Sequence, residues 1–299
     1  MRLDHPYQDL ADGGAWLRLR GNLHTHTTRS DGSRDVQTVL DDYAARGYDF
    51  LALTDHDIFT SDADHKAWDA RGMLLIPGNE VTRGGPHLLH VGGDRFLEPD
   101  PDRQKVIDAA TAAGGPGFVV VNHPDWQKGY DHCPLEKLRA WDGYAGIEIF
   151  NGVIGRLDGS PYALRKWETL LTEGRRVWGF AHDDSHADVD VALGWNVAFV
   201  RERTTGAVLS ALRAGRFYAS TGVEITRIEA EGNVVRVETA NAERIVAQTK
   251  WGHRVAAADA AAMTLEVPED APYVRFTCWG RGEKFAWTQP FFADGGKAA

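Results

Sequence analysis

The chain has 299 residues, of which 43% are hydrophobic and 25% charged, so it can bury the core of one large α/β domain with a small appendage. Its formal net charge of −10 argues against nucleic acid as an obligate partner, because phosphate binding needs clustered basic residues. Two distant cysteines, no signal peptide and no apolar run of about 18 residues predict a cytoplasmic protein without a membrane partner.

Strand-like and helix-like segments alternate through the first 220 residues or so. The first strand covers 17–23, and apolar residues spaced three and four apart then predict a helix over 36–44. We predict further strands at 50–54, 73–76, 87–91, 118–122, 146–150, 177–181 and 195–200, and helices at 63–71, 103–113, 134–141, 161–173 and 204–214. Such repeats predict an α/β fold with a parallel sheet or barrel, in which functional residues gather at the carboxyl ends of strands.

The pattern changes near residue 223. From there we predict only short strands, at 223–229, 234–239, 244–248, 263–267, 273–279 and 285–292. The sequence therefore predicts two units, a catalytic one over 1–222 and a small all-β C-terminal unit over 223–299.

Histidines and carboxylates follow nearly every predicted strand. His24 and His26 lie two apart at the end of the first strand, so they point to the same face and suit one metal ion. The candidate metal ligands are His24, His26, Asp31, His56, Glu80, His90, His123, Asp184 and His186. Imidazoles and carboxylates without thiolates suit Zn²⁺, Mn²⁺ or Fe²⁺. Because nine candidates exceed one tetrahedral site, we predict two or three divalent ions and hydrolytic chemistry.

The order of these motifs is informative as well. They are His24-Thr-His26, Ser30-Asp-Gly32, Thr54-Asp-His56, Glu80, His90, Asn122-His-Pro124, Glu148 with Asn151, and Asp184-Ser-His186. Together they resemble the PHP family, named for its polymerase and histidinol phosphatase domains. The resemblance implies a distorted (β/α)7 barrel with a metal cluster at the strand ends. Segments 212–222 and 286–290 are similar to the carbaryl-hydrolase-like branch of that family, which carries a β-rich C-terminal extension.

The resemblance also implies how the ligands are shared among the ions. The first ion would be held by His24, His26, Glu80 and Asp184. Glu80 would bridge to a second ion, held also by His90 and His123. A third ion would be held by Asp31, which stands where other members have a histidine, with His56 and His186.

Further residues are expected to serve catalysis or to meet the substrate. His182 is extra relative to the family pattern, and we expect it to contact substrate or act as a general acid, with Asp184 also catalytic. His90 is preferred to His87 as the ligand, because His-Leu-Leu-His-Val-Gly-Gly resembles the family's nucleotide phosphoesterases. Residues expected to bind substrate or to support a ligand are His87, Asp55, Arg29 and Trp126, with Arg156 as a second candidate for a substrate anion.

The predicted function is a metal-dependent phosphoesterase, which hydrolyses a small phosphate mono- or diester through a metal-bridging hydroxide. An alternative keeps the metal cluster but attacks a carboxyl ester, carbamate or amide, as the C-terminal resemblance suggests. Basic residues that converge near the metals would favour phosphate ester hydrolysis. An aromatic pocket without an arginine would favour hydrolysis of a carboxyl ester, carbamate or amide. A third hypothesis is a non-enzymatic scaffold, although no expected ligand position is missing. The oligomeric state stays open.

Overall fold

The computed structural model describes residues 2–12, 15–112 and 117–293. Its α-helices are α1 Val36–Ala45, α2 Asp62–His65, α3 Arg103–Thr111, α4 Leu135–Ala140, α5 Leu164–Thr172 and α6 Thr205–Arg213. Its strands are β1 Leu3–Asp4, β2 Leu17–Asn22, β3 Phe50–Ala52, β4 Leu74–Ile76, β5 Gly78–Val81, β6 Leu88–Val91, β7 Phe118–Val121, β8 Gly146–Asn151, β9 Trp178–His182, β10 Trp195–Val200, β11 Phe217–Ser220, β12 Ile225–Glu231, β13 Val234–Thr239, β14 Ala242–Thr249, β15 His253–Ala258, β16 Ala262–Glu266, β17 Tyr273–Gly280, β18 Lys284–Thr288 and β19 Phe291–Ala293.

Side-chain caps explain where several helices begin. Asp35 accepts a hydrogen bond from the backbone of Thr38 at the start of α1, and Thr204 does the same for Ala207 in α6. Ser61 and Asp64 form a reciprocal capping box on α2, which is shorter than the helix predicted over 63–71. The predicted end of α3 at residue 113 lies outside the described residues.

Two sheets carry the candidate ligands. The smaller one has the order β5-β6-β7-β8-β9, and β7, β8 and β9 run parallel. In the larger one β2, β3 and β4 run parallel, while β10 pairs antiparallel with β2 and β11. The β2–β3 contact is close, since a Cβ atom on Gly21 would lie 2.2 Å from the Phe50 ring. The predicted α/β class is confirmed.

Strand β6 departs from the expected parallel arrangement. It pairs antiparallel with both β5 and β7. The link 82–87 is too short for a crossover helix, and antiparallel neighbours need only a short connection. As a result, the first residues of β6, not its last, lie at the sheet edge where its neighbours end.

The C-terminal strands pack against the rest of the chain rather than apart from it. Strand β18 pairs with β11, so that Tyr218 lies opposite Thr288. Buried Arg275 of β17 forms an ion pair with Glu168 of α5. The boundary predicted between residues 222 and 223, and the separate all-β unit after it, therefore stay predictions. In the described part of the chain no helix is long and apolar enough to cross a membrane.

Candidate metal centre

The ends of β2 and β9 bring the first histidines together with Asp184. Residues 25 and 185 form a parallel bridge, and the backbone N–H of His26 donates to Ser185 at 3.0 Å. The N–H of Asp184 donates to the carbonyl of His24, also at 3.0 Å. Asp184 has a left-handed backbone, with φ of 54°, which a non-glycine residue seldom adopts. Such local strain is typical of functional positions that the surrounding structure holds firmly.

Glu80 of β5 is the centre of the cluster and is fully buried. Five imidazole nitrogens lie within 3.5 Å of its carboxylate: His24 Nε2 at 3.3 Å, His26 Nε2 at 3.5 Å, His56 Nδ1 at 2.6 Å, His87 Nδ1 at 3.1 Å and His123 Nε2 at 3.3 Å. Asn122 fixes the carboxylate by donating from Nδ2 to Oε1 at 2.6 Å. The motif Asn122-His-Pro124 is the sequence signal for that support.

Asp184 is the second buried carboxylate of the cluster. Its Oδ1 lies 3.1 Å from Nε2 of His24 and 3.0 Å from Nε2 of His26. Its Oδ2 lies 3.8 Å from His123. The carboxylates of Glu80 and Asp184 therefore share His24, His26 and His123, as ligands of neighbouring ions would.

Asp31 forms a third group nearer the surface. Its two oxygens lie 3.4 Å from Nε2 of His56 and 3.3 Å from Nε2 of His186. Asp55 has a different place from the predicted one, because it contacts no imidazole. It accepts from the backbone and hydroxyl of Thr27, at 2.8 and 2.9 Å, and from Ser30 at 2.7 Å. Asp55 thus shapes the turn that presents Asp31.

Glu148 supports the cluster from behind. Its Oε1 lies 2.7 Å from Nδ1 of His24 and 2.8 Å from Nδ1 of His182, while Oε2 accepts from the backbone N–H of His123 at 2.6 Å. These contacts leave Nε2 of His24 directed at Glu80 and Asp184, the arrangement in which a carboxylate orients a metal-binding imidazole.

His182 does not reach a position where substrate could touch it. The side chain has no exposed surface, and Glu148 lies between it and His24. The structure places His182 against Glu148 and away from the cavity, so a general acid or substrate contact at this residue stays a prediction without support from this geometry. The predicted strand ends at residue 181, so His182 is expected to follow it, but His182 is the final residue of β9. Asp184 and His186 follow the strand and lie in the cluster.

His87, and not His90, lies in the cluster. His90 is buried between strands, with its ring 6.0 Å from that of Phe59, and burial lowers its pKa to about 4. It contacts none of the other candidate ligands in the described residues. The preference for His90 fails because β6 is antiparallel, so its first end faces the site, and the two histidines, three apart, point to opposite sides.

His132 is a neighbour of the site that the sequence did not single out. Its ring lies 4.6 Å from that of His87 and 4.8 Å from that of His123, and Trp126 packs against all three. Nε2 of His132 accepts from the backbone N–H of His87 at 3.1 Å. Burial lowers the pKa of His132 to about 2, an effect that His123 and His87 increase, so the ring stays neutral. Its loop matches no motif, and no sequence signal was present.

The charges of the cluster are matched. Burial alone would lower the pKa of His24, but Asp184, Glu80 and Glu148 outweigh it and raise that pKa well above 6.5. Burial opposes charge on His56 too, yet Asp31 and Glu80 raise its pKa to about 10. Despite burial, the surrounding imidazoles hold the pKa of Glu80 and of Asp184 well below the usual range. The carboxylates are thus ionised at neutral pH and able to bind cations.

The donor set fits divalent metal ions. Five buried atoms that face one another make no geometrically acceptable hydrogen bond: His24 Nε2, His26 Nε2, His56 Nδ1, Glu80 Oε2 and Asp184 Oδ1. Buried polar atoms are normally satisfied, and metal ions that accept lone pairs would supply the partners that these five atoms lack. Groups whose ligand atoms lie within 4.8 Å of one another include His24–His26–Glu80, His24–His123–Asp184, His87–His123–His132 and His26–Asp31–His56–His186. His24–Glu148–His182 is a further such group, in which Glu148 contacts both imidazoles.

A cavity of about 350 Å³ opens over these residues. Six candidate ligands line it, together with Trp126, Val153, Ile154, Arg156 and Leu157. Arg29 does not line it and instead donates to Thr60 at 2.8 Å. The volume suits a small molecule.

Replacing Glu148 by glutamine tests its supporting role. We expect a 10- to 100-fold loss of metal affinity, roughly the cost of removing a group that orients a ligand. The amide carries no charge to hold the two imidazoles, and its nitrogen cannot accept from the backbone N–H of His123 as Oε2 does. Titration of the metal-free protein with Zn²⁺, followed by calorimetry, measures this. Exposed Glu136, changed in the same way, should bind normally. Unchanged affinity in the Glu148 variant would contradict the role.

Comparisons with known proteins indicate which class of protein this chain resembles. No protein-family model matches the chain. It is 39% identical over 95 residues to a 3′,5′-nucleoside bisphosphate phosphatase of Chromobacterium violaceum, an alignment that covers 31% of this chain and 30% of that protein. It is 36% identical over 78 residues to a phosphoribosyl 1,2-cyclic phosphate 1,2-diphosphodiesterase of Eggerthella lenta, covering 24% and 30% respectively. The matches thus span about a third of each relative's length.

A solved structure matches over nearly the whole chain. It is a two-domain protein from Bacteroides vulgatus described as containing a predicted PHP-like metal-dependent phosphoesterase, with a TM-score of 0.57 and 18% identity. The alignment covers 99% of this chain and 91% of the other. The chain therefore shares its fold with this PHP-like protein, in agreement with the resemblance predicted from the sequence motifs. None of these relatives bears on the carbaryl-hydrolase-like branch.

Proposed function

We propose that this protein is a metal-dependent phosphoesterase acting on a small phosphate mono- or diester. The observation that carries the proposal is the pair of buried carboxylates, Glu80 and Asp184, which share imidazoles. Asp184 and His123 line a cavity that Arg156 also lines. The names of the two curated relatives, a phosphatase and a diphosphodiesterase, support the choice of a phosphate ester.

We propose two or three divalent ions, Mn²⁺, Zn²⁺ or Fe²⁺, in three ligand groups. The first is His24, His26, Glu80 and Asp184; the second is Glu80, His123 and His87, which replaces His90; the third is Asp31, His56 and His186. When bound, such ions act as Lewis acids and make water nucleophilic at neutral pH.

The chain's own residues would then hold the substrate. Arg156 makes a two-point ion pair with Asp190, at 2.7 and 2.8 Å, and its remaining nitrogen Nη1 has no hydrogen-bond partner in the described residues. Asp190 in turn accepts from the backbone N–H of His186 at 3.0 Å. Arg156 is thereby fixed beside the candidate ligands, with a donor free for an anionic oxygen. Trp126 and Ile154 would shield the reacting group from bulk water.

Carboxyl ester or carbamate hydrolysis is the second candidate. The apolar part of the cavity wall, formed by Trp126, Val153, Ile154 and Leu157, suits a neutral ester. Arg156 weighs against it, because a buried pocket for a neutral carbonyl has no need of a guanidinium beside the metals. The cavity therefore supports phosphate ester hydrolysis better than hydrolysis of a neutral ester.

A substrate panel on Mn²⁺-loaded protein distinguishes the two. It compares kcat/KM for aryl phosphate mono- and diesters with kcat/KM for an aryl acetate and an aryl methylcarbamate. We expect the phosphate esters to lead by about two decades or more, which is about 2.7 kcal/mol of differential transition-state binding. A lead for the carbonyl substrates would establish the alternative. Bound metal without turnover of any ester would support a scaffold role.

We further propose that seven strand positions close into the distorted barrel implied by the family resemblance. The ring would run through β2, β3, β4 with β5, and β6 to β9. Two parallel bridges support closure at the cluster end, one between Thr25 and Ser185 and one between His56 and Glu80. The predicted cytoplasmic location and the all-β C-terminal unit are part of the same proposal, and the oligomeric state is left open.

A further inference from the structure

The loop at residues 124–133, here called the Trp126 loop, supports one side of the metal cluster. It leads from His123 towards α4, and it carries Trp126 and His132. The Trp126 ring lies 5.0 Å from that of His123, and His132 accepts from the backbone of His87 at 3.1 Å. Two proposed ligands, His87 and His123, are thus packed directly against this loop.

The loop has little to hold it in shape by itself. Gln127 and Tyr130 have left-handed backbones, with φ of 74° and 59°, which favour glycine. Within the loop, His132 donates to the Trp126 carbonyl and Cys133 to the Pro124 carbonyl, both at 3.1 Å. Most of its residues from 127 to 131 are exposed, so burial contributes little there. Backbone hydrogen bonds tie the first half of the loop to residues 158–160, from Gln127 N–H to Asp158 O at 2.9 Å and from Ser160 N–H to Asp125 O at 3.0 Å. The second half of the loop, up to Cys133, needs a further anchor.

Lys166 of α5 supplies that anchor. The residue is 7% exposed, and its Nζ donates to carbonyls at both ends and in the middle of the loop. Five oxygens surround Nζ: Pro124 O at 2.8 Å, Asp125 Oδ1 at 2.8 Å, Cys133 O at 2.9 Å, Tyr130 O at 3.1 Å and Asp131 Oδ1 at 3.5 Å. A buried ammonium group is costly unless paired, and this cage of oxygens pairs it fully.

We propose that Lys166 is a positioning residue whose ammonium group acts as a tethered cation around which the Trp126 loop is built. It touches neither substrate nor metal in this arrangement. Its effect passes through the loop to His87 and His123, and through Trp126 to the cavity wall. The effect on catalysis rests on the proposed function, whereas the effect on loop order does not.

Hydrogen–deuterium exchange on Lys166→Ala tests the proposal without any substrate. We expect the amides of His132 and Cys133 to exchange at least about tenfold faster, while β7 and β8 keep their protection. Adding n-propylammonium, which replaces the missing three carbons and nitrogen, should restore protection with saturable dependence. Tetramethylammonium at the same concentration has no N–H donors and should not.

Matched variants make the result decisive. Lys128→Ala removes a lysine from the same loop whose side chain is 89% exposed, and it should leave exchange unchanged. Lys166→Met keeps the apolar stem but removes the charge, so it should loosen the loop as Lys166→Ala does. The proposal would be overturned if the amides of His132 and Cys133 kept wild-type protection in Lys166→Met. It would also be overturned if the amides of β8 lost as much protection as those of the loop.

Kinetics then connect the loop with the site. For Lys166→Ala we expect kcat/KM on an aryl phosphate to fall about tenfold, because displacement of the cavity wall and of a metal-binding histidine lowers the rate by about that factor. Adding n-propylammonium should restore kcat/KM. If the wild-type protein hydrolyses no phosphate ester, the proposed function fails while the exchange experiment still judges the role of Lys166. If exchange responds but kcat/KM does not, the loop is organised by Lys166 without supporting the site, and the link to catalysis is wrong.

Discussion

Glu80→Gln should reduce kcat/KM on phosphate esters at least about 10⁴-fold, because two bound ions would be lost or displaced and each contributes several kcal/mol to transition-state stabilisation. Metal content, measured by mass spectrometry after dialysis, should fall with the activity. The substitution keeps the shape of the side chain and its bond to Asn122, but removes one negative charge from the centre of five imidazoles.

The physical reason is the position of Glu80 rather than its burial alone. Neutral imidazoles cannot compensate the charge of two adjacent dications, and Asp184 is the other carboxylate close to the same rings. An amide oxygen at residue 80 would still accept from Asn122, so the fold around β5 should persist and the thermal transition should shift little. Loss of metal with retained fold is the expected signature.

Exposed Glu98 provides the matched control, since Glu98→Gln changes the same charge far from the cluster. That variant should keep its metal and its activity. The role of Glu80 would be contradicted by a glutamine variant that keeps two ions per chain and more than about a tenth of the activity. Recovery of activity in either protein after chelation and Mn²⁺ addition separates metal loss from unfolding.

Short-range patterns predicted much of this centre. His24 and His26 share a face because side chains alternate along a strand, and that relation needs no tertiary information. The parallel strands β7, β8 and β9 follow from strand–helix alternation, and His123 and Asp184 follow the ends of β7 and β9 at one edge, with Glu148 within β8 between them. Local spacing and the strand-end rule were sufficient for these ligands.

The remaining features depend on contacts that local spacing does not encode. Asp55 was expected beside an imidazole, yet it caps the turn of Thr27 and Ser30, because free backbone donors there need an acceptor. Lys166 and the loop it holds are far apart in sequence, and only packing of α5 brings them together. His182 ends β9 behind Glu148, a relation between two strands that neither strand's pattern reveals.

The second large effect concerns two histidines, His87 just before β6 and His90 within it. We expect His87→Ala to lower kcat/KM about 10³-fold and to remove one ion per chain, since the imidazole 3.1 Å from Glu80 would no longer hold it. His90→Leu should keep its metal and most of its activity, because a ring buried against Phe59 is replaced by an apolar side chain. Metal content and kcat/KM of both variants, measured together, provide the comparison.

The two variants test which histidine binds the metal: the one selected by the direction of β6 or the one selected by resemblance to the family motif. Motif likeness selects His90, whereas the antiparallel direction of β6 puts His87 at the cluster and His90 in the core. The geometry would be contradicted if the His90 variant lost an ion and the His87 variant did not. Loss in both would indicate that the β5–β6 hairpin moves as a unit, since Asn79 lies opposite His90 in register and adjoins Glu80. Only the asymmetric result, with His87 essential and His90 dispensable, follows from a strand whose N-terminal end, just after His87, lies at the metal centre.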